Sequence, residues 1–289
     1  MDISQLKVFC SVAREGSISQ AAKVLHRVPS NISTRLKQLE NELGTDLFIR
    51  EKLRLHLSEQ GKIFLEYAEK VLMTLDEARE AVVSSEPKGS FSLGAILSTA
   101  AVRAPDILAA YHQRYPHVEL DFSTGASDDM VNGLLEGRLT AAFIDGPIPH
   151  PLLEGMPLWT EQMMVVAAKN HPPITCAKDV AGAQLYAFRR VCSYRRYFES
   201  WFEAENVRPG KISEMESYHG MLGCVSAGAG LALAPQSILA TIPGAQHNLS
   251  IWPLKGNFQS TQIWLWWKKN TRSANLQALR SLLQERVHN

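Results

Sequence analysis

The chain has little cysteine and no long apolar run. Its four cysteines, Cys10, Cys176, Cys192 and Cys224, show no C-x-x-C spacing, so neither a zinc site nor a disulfide framework is expected. No stretch of about 18 apolar residues is present to span a bilayer, and no basic segment followed by an apolar one opens the chain as an export signal would. These absences lead to the expectation of a reducing cytoplasm and no membrane partner. Catalytic motifs are missing as well: G-x-S-x-G, H-E-x-x-H, a P-loop and G-x-G-x-x-G do not occur. No catalytic residue, no metal ligand and no cofactor is therefore expected, and the chain is not read as an enzyme. An excess of one charge is lacking too. Lys and Arg number 30 against 29 Asp and Glu, for a net charge of +1 over 289 residues. A bulk polycation is excluded, so contact with nucleic acid has to come from a local patch. Residues 1–58 carry nine Lys and Arg against six acids, a modest excess that favours a dimer or larger assembly over a single module.

Acids are absent from one stretch in particular. Between Gly16 and Leu39 there is neither Asp nor Glu, and the stretch continues to Arg50 as GSISQAAKVLHRVPSNISTRLKQLENELGTDLFIR. Two helical patterns lie in it. Ser19 is placed to cap the first, which carries Ala21, Ala22 and Leu25 on one face. A break follows at His26–Val28. Pro29 then stands at a first helical position, where its missing N–H costs nothing. The second helix places Ile32, Leu36, Leu39 and Leu43 on one buried stripe. Pro29, Ser30, Asn31, Ser33, Thr34, Arg35, Lys37 and Gln38 are left to the start and other face. Short hydrogen-bonding groups and cations without acids suit a helix entering the major groove. Gly44 ends the helix. An amphipathic hairpin in an ordinary core explains the stripe but not the acid-free face.

Three blocks carry a family resemblance: LKVFCSVAREGSISQAAKVL, PSNISTRLKQLENELGTDLFIR and the LSEQG after them. With the Ala-Ala pair, Leu39–Glu40 and the G-x-x-L-F-x-R of residues 44–50, the chain resembles the LysR-type transcriptional regulators. The likeness extends more loosely through the rest of the chain. It implies an N-terminal winged helix-turn-helix, a dimerising linker helix and a two-lobed, periplasmic-binding-protein-like α/β effector domain. It also implies double-stranded DNA and a small-molecule effector as partners, with homodimers assembling to a homotetramer.

In chain order, Ile3–Glu15 reads as a helix with Ile3, Leu6, Phe9, Cys10 and Ala13 inward; Cys10 is taken as a small core residue. Asp46–Arg50 and Arg54–Leu57 read as a wing whose Arg50, Lys52 and Arg54 reach phosphates or a minor groove. Ser58 caps a long helix to about Ser84, with Ile63, Phe64, Tyr67, Val71, Leu75, Ala78 and Val82 in one stripe. A stripe of that length has no local partner, and pairing with the same helix of a second subunit is the simple solution. SSEPKGS, residues 84–90, reads as a hinge. The division expected is 1–58, 59–88 and 89–289, with lobe I at about 89–161 and 266–289 and lobe II at about 162–265.

From Phe91 strands alternate with helices, which implies a mainly parallel sheet. The strands expected are FSLGAIL, VELDFST, LTAAFID, MMVVAA, QLYAFRR and TQIWLWW. Helices are expected over Ser98–Tyr111, interrupted at Pro105, and over Ser127–Glu136, Ser193–Glu205, Tyr218–Ala227 and Asn275–Arg286. Crossings between lobes are expected near Glu161 and Gln262. The Trp264, Trp266 and Trp267 cluster is expected to pack the sheet and a hinge.

Ligands of open α/β sheets bind at strand ends beside helix starts. Those junctions here are Ser98 and Thr99; Thr124, Gly125 and Ala126; Asp145 and Gly146; and Cys192, Ser193 and Tyr194. Tyr218 and His219 are expected to close the far wall. The resemblance places the effector cleft at the same positions. Small hydroxyls and helix-start N–H groups suit a carboxylate, and the effector expected is a small carboxylate or amine. For each residue alone, simple N-capping is the competing explanation. Cys192, near Arg189, Arg190, Arg195 and Arg196, is open to two readings: an oxidant-sensitive thiol of lowered pKa, or a small polar cleft residue. No resolving partner is evident, and the second is preferred. Other functions weighed are a solute-binding module, opposed by the missing export signal, and a cleft enzyme, opposed by the missing acid/base and nucleophile motifs.

Overall fold

The computed structural model describes residues 1–51, 54–83 and 86–287. The chain divides into two compact units, one built on Met1–Ser85 and the other on Glu86–Leu135 and Leu139–Asn289. The first unit begins with α1 (Ile3–Glu15), α2 (Ile18–Val24) and α3 (Pro29–Leu43). A hairpin of β1 (Phe48–Glu51) and β2 (Arg54–Leu57) follows, and then α4 (Glu59–Val83). Phe9 of α1 meets the rings of Phe48 and Phe64, with centroids 5.4 and 5.0 Å away, so one aromatic ties α1 to the wing and to α4. Ala21, Ala22, Ile32, Leu36, Leu39 and Leu47 complete this core. Each fully buried aliphatic or aromatic side chain contributes about 1.5–3 kcal/mol. Cys10 is a buried core thiol whose pKa desolvation pushes up to about 12.

Several details differ from the sequence reading. Ser17, not Ser19, caps α2: its backbone is extended and its Oγ accepts from Gln20 N at 3.4 Å. Gly16 already ends α1 in a left-handed turn, so the next helix starts at once. Ile3 is exposed, because the first turn of α1 buries Gln5 in a capping box with Asp2. Val8 and Val12 take inward positions instead. Leu43 is also exposed, since α3 ends there and its stripe stops at Leu39. Lys52, Leu53, Ser84 and Ser85 lie outside the described residues, as do the side chains of Arg50, Arg54 and Val82.

In the second unit, β3 (Gly89–Ile96) leads through α5 (Leu97–Val102) and α6 (Ala104–Arg114) to β4 (Val118–Gly125). Then come α7 (Ser127–Glu136), β5 (Ala141–Gly146) and the long β6 (Leu153–Ala168). The chain continues with β7 (Leu185–Ala187), α8 (Ser193–Glu203), β8 (Ile212–Glu214), α9 (Tyr218–Ser226) and β9 (Leu231–Pro235). It closes with α10 (Gln236–Thr241), α11 (Ala245–Asn248), β10 (Leu249–Pro253), β11 (Ser260–Lys268) and α12 (Ala274–Val287). The sheet order is β4-β3-β5-β11-β6-β9-β7-β8, with β10 also on β6. Strands β3, β4 and β5 run parallel, as do β7, β8 and β9. Strand β6 joins the two groups: Leu153–Gln162 pairs with β11, Met163–Val166 with β9 and Met164–Ala168 with β10. The chain thus crosses between lobes beside Glu161, and β11 starts the return at Ser260.

The sequence reading began this strand only at Met163. Pro157 hides its first half. The register shifts between Ile263, which faces Trp159, and Trp264, which faces Pro157, leaving Leu158 as an extra residue. Such a bulge is where a ladder tolerates proline, and it breaks the alternation that marks a strand. Strands β8, β9 and β10 were missed too: β8 and β10 are short elements with only half-buried patterns, and β9 is a fully buried apolar run without alternation.

The LSEQG run has a steric explanation. Ser58 Oγ accepts from Gly61 N at 2.9 Å and donates to Asp46 O at 2.7 Å, which seats the start of α4 on the turn before the wing. A Cβ on Gly61 would lie 2.0 Å from the carbonyl oxygen of Leu47. Backbone cannot yield as a side chain would. Gly61→Ala is expected to destabilise the N-terminal unit by about 3 kcal/mol or more. Denaturant unfolding checks this, and a loss under about 1 kcal/mol would contradict the contact.

Candidate functional site

Two regions hold the residues selected from the sequence. The first is the outer face of α3. Pro29 stands in its first turn, and Ser30, Asn31, Ser33, Thr34, Lys37 and Gln38 are exposed, with Arg35 half-buried. Arg35 Nε and Arg27 Nη1 each donate to Asn31 Oδ1 at 3.3 Å, fixing this side chain between two cations. Arg27, missed in the sequence reading, stands at the turn before α3, where nothing in the periodicity marks it. Glu40, on the inner side, accepts from Leu47 N at 2.9 Å and Phe48 N at 3.3 Å. Its acid is spent on holding the wing strand against α3. Leu39–Glu40 and the Leu-Phe pair are therefore parts of one brace, made possible by Gly44 in the left-handed region.

The second region is a cavity of about 220 Å³ within the C-terminal unit. Ser98, Thr124, Gly125, Ala126, Cys192, Ser193, Tyr194 and Tyr218 line it, as the sequence reading selected. Ile96, Leu97, Ser127, Asp129, Phe188, Arg189 and Glu216 also line it and were missed. Ser127 directly follows Ala126 and was legible only as a helix start; Glu216 sits in a short loop before α9 that carries no pattern. Three selected residues stand away from the wall. Thr99 is buried in α5, His219 is exposed, and Gly146 packs under the indoles of Trp264 and Trp266. Asp145 backs the cavity.

Asp145 joins the two lobes. Ser127 Oγ of α7 donates to its Oδ1 at 2.9 Å, and Ser193 Oγ of α8 donates to the same oxygen at 2.7 Å. Two helix starts from different lobes thus meet on one carboxylate, which suits their partial positive charge. Beside this clasp Arg196 makes a bidentate pair with Asp128, both contacts at 3.0 Å. Burial raises the Asp145 pKa, opposed by the hydroxyls of Ser193 and Ser127, its own N–H and the charge of Arg196. The Cys192 thiol is pushed up as well, chiefly by burial, with the nearby N–H dipoles of Arg195 and Tyr194 pulling the other way. A raised thiol pKa disfavours the thiolate, so the lowered-pKa reading of Cys192 does not hold. The Tyr194 hydroxyl accepts from Ser98 Oγ at 3.3 Å; desolvation raises its pKa strongly, as it does that of Tyr218.

The family models described as "Bacterial regulatory helix-turn-helix protein, lysR family" and "LysR substrate binding domain" match residues 3–62 and 84–288. The chain belongs to the LysR family of transcriptional regulators. Among its relatives is the HTH-type transcriptional regulator GltR of Bacillus subtilis, 40% identical over 83% of this chain and 82% of that one. Another is CzcR of Bacillus thuringiensis, 37% identical over 86% of this chain and 83% of that one. A solved full-length OxyR of Pseudomonas aeruginosa superposes with a TM-score of 0.74 at 21% identity, covering 98% of this chain and 94% of that one. Full-length CbnR, solved with its target DNA, superposes at 0.70 with 21% identity and 99% coverage of both. The architecture is therefore that of the family: a helix-turn-helix followed by a substrate-binding domain. No helix among the described residues is long and apolar enough to cross a membrane.

The raised Asp145 pKa sets a pH dependence. Between the usual 3.8 and the raised value, the folded chain holds a proton that the unfolded chain has lost. The resulting stabilisation is full below the usual value and is lost as pH rises through the raised one. Thermal unfolding across this window is expected to show a steeper fall in Tm for the wild type than for Asp145→Asn. Parallel profiles would mean that Asp145 titrates normally.

Proposed function

We propose that this regulator reads double-stranded DNA with the outer face of α3 and answers to a small molecule held in the cavity between its lobes. The observation that carries the reading is the division of acids. Glu40 is turned inward onto the wing backbone, so the exposed face of α3 up to Gln38 offers only neutral polar groups and cations. In this reading Ser30, Asn31, Ser33 and Thr34 meet base edges, while Arg35, Lys37, Gln38 and the start of the helix at Pro29 position it on phosphates. Arg50, Lys52 and Arg54 serve the wing. The working division is 1–58 for DNA, 59–88 for the linker and 89–289 for the effector domain. The second lobe then covers about 162–259, because Gln262 already pairs with Gly146 of the first. The protein acts in the cytoplasm without a catalytic step of its own. Arg35→Ala is expected to weaken binding to the protein's own upstream DNA and to lower the salt slope by about one. Exchanges at Asn31 or Ser33 should alter base preference instead. An unchanged slope in a salt titration of Arg35→Ala would count against the assignment.

The assembly is proposed to be a dimer through α4 that associates further to a tetramer. Ile63, Tyr67 and Val71 stand four residues apart on one side of α4 and are 60%, 61% and 49% exposed. An apolar row at that spacing suits a paired helix. Placing Glu at Tyr67 and Val71 would confront like charges across the seam. Sedimentation is expected to show dissociation, with DNA affinity falling in parallel; an assembly that survives both changes would place the dimer contact elsewhere.

A further inference from the structure

Arg27, Asn31 and Arg35 follow one another at four-residue steps, the first in the turn before α3 and the other two on the helix. Arg27 Nη1 and Arg35 Nε reach the same amide atom of Asn31, each at 3.3 Å. An atom flanked by two guanidinium donors has to be an acceptor, because the amide nitrogen in that place would set donor against donor. The two ends of the amide are thereby told apart, with Oδ1 on the arginines. A carbonyl oxygen has two lone pairs, and here both are taken. Nδ2 has no protein partner among the described residues, and the side chain is exposed. Arg35 is itself anchored from the other side, with Nη1 3.7 Å from Asp2 Oδ2.

Asn31 lies in the first turn of α3. Residues at that end of a recognition helix are the ones that meet base edges in the major groove. An unconstrained asparagine reads adenine there: its oxygen accepts from N6 while its nitrogen donates to N7. Asn31 cannot do so while Oδ1 is filled. Its remaining protons require acceptors, and guanine offers two side by side, N7 and O6. Adenine would set its N6 donor against the amide, and thymine offers a single acceptor, O4. Holding Asn31 does not withdraw the arginines from phosphates, because a guanidinium carries more N–H donors than the one each spends here. Water excluded by DNA leaves these charge-assisted bonds in a lower dielectric, which strengthens them.

We infer that Asn31 reads guanine rather than adenine, as a hydrogen-bond donor whose polarity Arg27 and Arg35 fix before DNA arrives. The inference rests on the outer face of α3 meeting DNA. The test is affinity selection and sequencing from a library of the protein's own upstream DNA with each position varied in turn. Full-length wild type, Asn31→Ala, Arg27→Leu and Thr34→Ala are compared. Alanine is a good helix former, so the exposed site tolerates Asn31→Ala. One base pair is expected to lose its preference in Asn31→Ala, and wild type is expected to favour G·C over A·T at that pair by about tenfold or more. Arg27→Leu frees one lone pair of Oδ1 and is expected to narrow that ratio by at least about threefold. An A·T pair favoured by wild type at the Asn31-dependent position would overturn the inference, and is the result that follows if the arginines leave Asn31 for phosphates. An unchanged ratio in Arg27→Leu would overturn it as well. Thr34, exposed on the same helix and without a side-chain bond among the described residues, separates the inference from the reading beneath it. A base preference altered by Thr34→Ala but not by Asn31→Ala keeps α3 as the reading helix and overturns the role of Asn31. Preferences unchanged in both variants would take the face of α3 off the bases, and the inference with it.

Discussion

A strand inside a sheet has to place every backbone N–H and C=O on a neighbour, and β6 does so on different neighbours along its length. Its first part bonds to β11 and its last part to β9 and β10. The two lobes are consequently joined by a continuous ladder rather than by a loop. Each backbone group left buried and unpaired would cost about 1–3 kcal/mol. This constraint fixes where the lobes face one another. It sets the ends of β3 and β4 and the starts of α5, α7 and α8 around a common space.

Within the space, the closing interactions are polar and modest. The bidentate Asp128–Arg196 pair is about half exposed on both sides, and such pairs contribute roughly 0–1 kcal/mol. The Ser127–Asp145–Ser193 group is drier, and its carboxylate has its pKa raised by burial. Neither contact resembles a hydrophobic seam. Lobes held by a few hydrogen bonds around a half-compensated acid are suited to respond to a ligand whose charge alters that balance. The N-terminal unit is built differently. Phe9, Phe48 and Phe64 lock three elements together, and Glu40 ties the wing to α3, so the surface offered to DNA rests on a rigid support.

Much of this was legible in the residues because the signals are local. The stripe Ile32, Leu36, Leu39 needs only helical period, and Pro29 and Gly44 mark the ends of that helix by their own backbone preferences. The family likeness rests on the same local grammar, since Leu39–Glu40, Gly44, Leu47–Phe48 and Gly61 all serve one brace between α3, the wing and α4. Cavity residues such as Ser98, Thr124 and Ser193 could be chosen because strand-to-helix junctions can be read from alternation alone. Where the local signal was contradictory it failed: Pro157 and its bulge concealed half of β6, and Ser19 looked as good a cap as Ser17 until Gly16 was seen to end α1.

The sequence by itself therefore determined the helices and wing of the N-terminal unit, the acid-free face of α3 and most of the hydroxyls around the cleft, because propensity, period and capping act over a few residues. Only the tertiary structure decided what those hydroxyls do. Whether Ser127 and Ser193 face a ligand with protons or with lone pairs depends on Asp145, 18 and 48 residues away in the chain. Whether Arg189, Arg195 and Arg196 attract an anion depends on Glu216, Glu199 and Asp128, which pair with them in the fold. Electrostatic character is a sum over neighbours in space, falling off over ångströms rather than residues, and a linear pattern of charges does not contain it.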